Sequence, residues 1–219
     1  MTETKIYRDK QDRTSNEWKL LLDYIDKVAE TGQAEFNPGK DLGRDVWNRI
    51  TVLPNEIEKL VEVKHLMLYN SSLERIPPTI AKMKSLEIFT PYTSARLRWF
   101  PYEITKCPNL KQSTISTRKL YGNFKLRLPF PDLTKERVEF AGCETTCGIC
   151  EKIQKDTLFE QYWISLQVAT DVVPLLIHVC SETCYHAIPA GAKHYLDEPH
   201  KGGLSQKQPP KGFPEAKWR

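Results

Sequence analysis

Glycine is scarce beside proline in this chain of 219 residues: ten against fifteen. That balance favours stiff turns and extended connections over flexible linkers. No collagen-like, coiled-coil or disordered bias runs through the chain. No apolar run approaches the roughly 18 residues of a membrane-spanning helix. The opening stretch MTETKIYRDKQDR has no apolar core, so no secretory leader is expected and the expected compartment is the cytoplasm. G-x-x-x-x-G-K, G-x-S-x-G and H-E-x-x-H are all missing, which removes the common phosphate-cradling, serine-nucleophile and zinc-protease signatures. The expectation is a non-enzymatic protein. Hydrophobic residues make up 40% and the mean hydropathy is −0.51, so a core is affordable but limited, in one large or two small domains.

Charge is present but uneven. The net charge is +4. Residues 105–137 carry eight basic residues (Lys106, Lys111, Arg118, Lys119, Lys125, Arg127, Lys135 and Arg137) against Asp132 and Glu136. Residues 201–219 add five basic residues against one acidic, leaving the remainder net acidic. A basic patch of this kind attracts nucleic acid, an acidic protein or an anionic membrane, although a solvated face has the same composition.

Internal repetition is the strongest organising signal. An apolar-Pro pair recurs as Leu53-Pro54, Ile76-Pro77 and Phe100-Pro101, at steps of 23 and 24 residues. Ile57, Ile80 and Ile104 then align, as do Leu60, Met83 and Cys107, and Val63, Leu86 and Leu110. Ile50, Leu73, Leu97 and Leu120 supply the preceding apolar position. Over about residues 42–123 this pattern resembles the leucine-rich repeat family, in its L-P-x-x-I-x-x-L variety. The resemblance implies short strands stacked coil on coil, none able to bury its apolar face alone. Cys107, at a leucine position, is expected in the core as a small hydrophobe.

The pattern also has departures. Thr93 and Thr117 stand where the first coil has Asn70, Pro91 and Ser113 fall on apolar strand positions, and Asn123 ends the repetition. The stack is therefore expected to be short, with three or four coils and a cap at each end. Thr14-x-x-Glu17 reads as a capping box opening a helix that carries Trp18, Leu21, Leu22, Ile25 and Val28 on one face, with Gly32 as its stop. Beyond the repeats, Leu126 to Leu133 is proline-broken and reads as an exit bridge.

Six cysteines occur, at 107, 143, 147, 150, 180 and 184. Cys147-x-x-Cys150, with Gly148 permitting a tight bend, and Cys180-x-x-x-Cys184 form two half-sites, and four thiolates suit one tetrahedral structural zinc. Cys143 is an alternative to Cys147, and His178 and His186 are weaker substitutes. Between the half-sites, Ile164, Leu166 and Val168 alternate, Ala169 to Asp171 offers a turn, and residues 173–179 return as a second strand. Ser181 then reads as the N-cap of a short helix. Knuckle, hairpin and helix in this order, over about residues 143–190, resemble a treble-clef zinc finger.

The expected fold class is thus α/β: a short leucine-rich repeat solenoid with an N-terminal helical cap, plus a small zinc-stabilised α+β finger. The expected boundaries are 1–34 for the cap, 35–128 for the solenoid, 129–140 for a proline-rich linker, 141–200 for the finger and 201–219 for a flexible basic tail. In this resemblance the strand side is the recognition face. It presents His65, Met67 and Tyr69, then Ile88, Thr90 and Tyr92, then Gln112, Thr114 and Ser116, an aromatic and hydroxyl surface suited to a protein partner. The leading functional expectation is a protein-interaction adaptor with the finger as scaffold or second contact. The alternatives are nucleic-acid binding through residues 105–137 and the finger, or, by analogy alone, assistance to ubiquitin-like transfer.

Overall fold

A computed structural model describes residues 7–153 and 159–212. Helix α1, Asn16–Thr31, buries Trp18, Leu21, Tyr24, Ile25 and Val28 along one face. Its cap is Ser15, one residue later than the sequence pattern suggested, with Ser15 Oγ accepting from the Trp18 N–H at 3.2 Å. Thr14 is diverted instead: its N–H and hydroxyl both donate to Asp12 Oδ1, at 2.8 and 2.7 Å. Glu17 pairs with Arg49 rather than closing a capping box. Gly32, at φ 62°, ends the helix with a left-handed turn that L side chains resist.

Four short strands follow in a parallel sheet ordered β1-β2-β3-β5: β1 Glu35–Phe36, β2 His65–Met67, β3 Ile88–Thr90 and β5 Gln112–Ser113. The 23- and 24-residue steps of the sequence reappear as strand register, His65 opposite Ile88 and Ile88 opposite Gln112. Each return path contains a 3-10 helix (Asn55–Lys59, Pro78–Lys82, Tyr102–Lys106) whose N-cap is a repeated proline: Pro54, Pro77 or Pro101. Proline suits that position because its fixed φ matches the extended cap and no N–H is lost to the ladder. Leu66 and Phe89 point inward at equivalent places, as do Ile57, Ile80 and Ile104, all at most 1% exposed. A second ladder, one of hydroxyls, escaped the sequence reading: Ser71 Oγ lies 2.7 Å from Ser94 Oγ, which donates to the Leu68 carbonyl at 2.9 Å. Two short helices, α2 Pro38–Asp41 and α3 Arg44–Trp47, connect β1 to the first of these return paths.

The C-terminal part is no separate unit. The hairpin β6 (Glu160–Val168) and β7 (Asp171–Val179) joins a second sheet, ordered β4-β7-β6, by pairing in parallel with β4, Phe100–Pro101. Phe100 stands opposite Leu175 and Pro101 opposite Leu176. The hairpin tip reaches the last strand of the first sheet, where Ser113 Oγ donates to Asp171 Oδ2 at 2.7 Å and Thr170 Oγ1 donates to the Ser113 carbonyl at 2.8 Å. Ser113 occupies an apolar row because these polar partners sit above it. Both faces of β6 are buried. Ile164 and Val168 join the core shared with α1 and the parallel strands, whereas Trp163 enters a second cluster with Trp99, Tyr121 and Phe130.

The stretch 129–140, expected as a linker, supplies Phe130, Leu133 and Val138 to that second cluster. Arg75 is buried beneath it, donating from Nη1 to the Glu139 carbonyl at 2.6 Å between the rings of Trp99 and Phe140. The described part of the expected tail makes contacts with the body of the chain. His200 pairs with Trp163 as an antiparallel bridge, Leu133 N–H donates to the Lys201 carbonyl at 2.8 Å, and Gly212 N–H donates to the Phe124 carbonyl at 2.7 Å. Hydrogen bonds and a buried histidine fasten residues 200–212 where composition alone suggested a solvated segment. Residues 213–219, with Phe213 and Trp218, lie outside the described residues. Among the described residues no helix is long and apolar enough to cross a membrane.

Leu60 and Leu86 are each at most 1% exposed, so replacing either by Ala should cost about 2–5 kcal/mol in urea denaturation. A chain ended at Pro199 should melt several degrees below one ended at Gly212, because it loses the Trp163 bridge and the Lys201 contacts.

Candidate functional site

Two local structures bring four sulfurs together. The first is the knuckle at residues 147–151, in which Glu151 N–H donates to the Cys147 carbonyl at 3.0 Å and Glu151 adopts φ 60°. Gly148 lies against β7, with its N–H donating to the His178 carbonyl at 2.7 Å. A Cβ at residue 148 would sit 2.7 Å from Ile177 Cγ1 and 3.1 Å from Tyr102 Cδ1. Here glycine is required for close approach to the core. The second is the end of β7 running into helix α4, Glu182–His186, where Ser181 Oγ accepts from the Cys184 N–H at 3.2 Å as the sequence indicated. That cap fixes Cys184 on the first helical turn, facing back toward Cys180.

Cys147, Cys150, Cys180 and Cys184 have their Sγ atoms within 4.8 Å of one another. Cys150 and Cys180 are 3.5 Å apart, and Cys180 and Cys184 are 3.6 Å apart. These separations are too long for disulfides and near the roughly 3.8 Å edge of a tetrahedron built on Zn–S bonds of about 2.3 Å. Four cysteines in this arrangement could hold a metal ion such as zinc. Burial acts to raise the Cys147 thiol, but the backbone N–H groups of Cys150, Ile149 and Cys180 outweigh it and bring it to about 6. Cys180 is pushed up to about 12, first by its hydrogen bond with Cys150 and then by burial and the other two sulfurs. Thiolates are the ligand form of cysteine, and a divalent ion at the centre of the group would favour them.

The other thiols stand apart. Cys143 is outside the four-sulfur group, and burial, followed by Glu103, Glu58 and Glu144, pushes its thiol up to about 11. Cys107 is buried in the core, with Sγ 3.3 Å from the Ile80 carbonyl. Neither histidine joins the group: His178 Nε2 accepts from Gln161 Nε2 at 2.7 Å, and His186 lies 3.7 Å from Glu182. Glu103, which the sequence reading passed over, lines a cavity of about 10 Å³ with Cys143 and His178. Its Oε2 has no hydrogen-bond partner among the described residues. Burial raises its carboxyl to about 7, against the pull of its own backbone N–H and Lys106 and with a further push from Cys147.

On the exposed side of the parallel sheet, five of the nine residues expected there line one groove of about 390 Å³: Met67, Tyr69, Thr90, Tyr92 and Thr114. Tyr69 and Tyr92 are 43% and 47% exposed, and their rings stack at 6.2 Å. His65 is tied into the sheet by Thr90 Oγ1 at 3.0 Å and Glu35 at 3.3 Å. Ser116 Oγ accepts from the Thr93 N–H at 2.9 Å. Ile88 and Gln112 lie on the same face outside the groove lining. The groove's other wall, Asn37, Gly39, Lys40 and Arg44, was missed. It comes from α2 and α3, which precede Ile50, the first aligned repeat position, and carry no part of the pattern. A scan against protein-family models matches none of them, and a search of curated proteins also finds no match.

Elemental analysis of purified protein should find one zinc per chain. Serine at any one of Cys147, Cys150, Cys180 or Cys184 should remove it, while Cys143→Ser should keep it; Gly148→Ala should lower occupancy by displacing the knuckle. Glu103 gives a pH prediction. Between its ordinary value of 4.5 and about 7, the native chain keeps a proton that the unfolded chain has released. Its contribution is therefore fully present below about pH 4.5 and is lost as pH rises to about 7. Glu103→Gln should be more stable than wild type in urea denaturation at pH 8, by on the order of 3 kcal/mol, with little difference near pH 4.5.

Proposed function

We propose that the chain is a non-enzymatic protein-interaction module: a short solenoid of the leucine-rich repeat type, closed at its C-terminal end by a treble-clef-like unit holding one structural zinc. The repeated register and the proline-capped return turns support the solenoid reading. The four-sulfur group supports the zinc. With four thiolates on the ion, no coordination position is left to activate water, which is why the metal is read as scaffold rather than catalyst.

The observation that carries the interaction reading is the exposed Tyr69–Tyr92 pair in its groove. Two large aromatics side by side on a rigid sheet offer contact area at low entropic cost, and tyrosine is enriched at binding hot spots. The nucleic-acid alternative loses ground because much of its basic stretch is occupied. Lys106 pairs with Glu151, Lys111 with Glu87, Arg127 donates to the carbonyls of Gly122 and His194, and Arg137 donates to the Phe159 carbonyl.

Affinity capture from the source cell, with and without nuclease, tests the reading. The same proteins should be retained in both arms. Tyr69→Ala with Tyr92→Ala should weaken their retention by roughly 2 kcal/mol or more, with the melting temperature unchanged. Capture that survives the double substitution would move the site elsewhere, and capture abolished by nuclease would favour nucleic acid.

A further inference from the structure

The groove has a chemical polarity that its aromatic floor alone does not explain. At one side Lys40 and Arg44 border it, and neither has an ion-pair partner among the described residues. The exposed Arg44 guanidinium lies over the Tyr69 ring at 5.5 Å from its centroid, which places its charge beside the aromatic shelf. No acidic side chain lines the groove. Two carboxylates of the neighbouring segments are engaged elsewhere: Asp41 accepts from the Tyr24 hydroxyl at 2.5 Å, and Glu35 is held by His65 and Asn37. Beyond the rings, Thr90 and Thr114 add hydroxyls, and Met67 adds an adaptable apolar contact.

Resting on the reading that this face binds a protein, we infer that its ligand is an extended acidic peptide segment. An aromatic or large aliphatic side chain of that segment lies on the Tyr69–Tyr92 shelf. A carboxylate within a few residues of it sits between Lys40 and Arg44. Charge complementarity selects the acidic residue, because a guanidinium held against a ring keeps donors free for a carboxylate fork. A nucleic-acid strand fits less well. It needs cations spaced along a track of phosphates, whereas the groove has two cations at a single edge.

The test is selection from a random 12-residue peptide display library on the intact, zinc-loaded chain, followed by titration of the enriched peptides. Enriched sequences should pair Asp or Glu with an aromatic or large aliphatic residue a few positions away. Lys40→Glu with Arg44→Glu should weaken those peptides at least tenfold and, in a fresh selection, enrich basic residues in place of acidic ones. These side chains are on the surface, so unchanged melting temperatures will show that the variants fold. Enriched peptides lacking acidic residues, or binding unmoved by the charge reversal, would overturn the inference. If such peptides still lose binding with Tyr69→Ala and Tyr92→Ala, the concave-face reading survives without it. If the tyrosine substitutions also have no effect, or no peptide is enriched, both readings fall. Tight binding of a poly(dT) oligonucleotide that is lost on the same charge reversal would reassign the groove to nucleic acid.

Discussion

Phe100 faces Leu175, and Pro101 faces Leu176, across a two-residue stretch of parallel pairing, and most of the chain beyond residue 128 is placed by that contact. Stacked parallel strands end in an exposed edge and an open apolar face, and either one invites association. Here the β6–β7 hairpin covers both. Leu175 and Ile177 seal the core beneath the parallel sheet, Thr170 and Asp171 satisfy its last strand at Ser113, and Trp163 on the opposite face gathers a second core around itself. Without the hairpin, β4 and the 3-10 helix after it would present Phe100 and Ile104 to water.

The four-sulfur group belongs to the same closure. Cys147 and Cys184 are buried within the shared core rather than at the periphery of an independent finger. Gly148 against Ile177 fixes the knuckle to β7, and Cys180 directly follows the last residue of β7, Val179. A metal held there would fasten both ends of the segment that covers the parallel sheet. Its structural effect would be felt along β7 and, through Phe100, in the segments of that sheet. Metal binding and capping would thus be one cooperative event instead of two domain-level ones.

This closure leaves the opposite surface of the parallel sheet uncovered. The Tyr69–Tyr92 shelf is held because Met67 and Thr90 beside it are paired in register and Ser71 and Ser94 tie the segments that follow the two strands. α1 and α3 play a comparable part at the N-terminal end. Trp18 and Trp47 fill the core there, while Arg44 is carried to the rim of the groove.

Much of this architecture could be read from residue order alone. The 23- and 24-residue steps, the Cys147–Cys150 and Cys180–Cys184 half-sites, the Gly32 stop and the Ser181 cap depend on spacing within a few turns of chain, and local geometry determines them. The position of Cys107 in the core followed from its place in the repeat. Tertiary structure decided whatever depends on distant partners. Ser15 replaced Thr14 as cap because Asp12 captured Thr14. The stretch 129–140 became core instead of linker because Trp99 and Trp163 created an apolar cluster for Phe130, Leu133 and Val138 to enter. Residues 200–212 were fastened because β6 offered an unpaired edge. Glu103 became a buried, unpartnered carboxyl, and Lys40 and Arg44 became one wall of a groove, only when segments far apart in sequence met. Periodicity records which side of an element faces inward; it does not record which other element will be there.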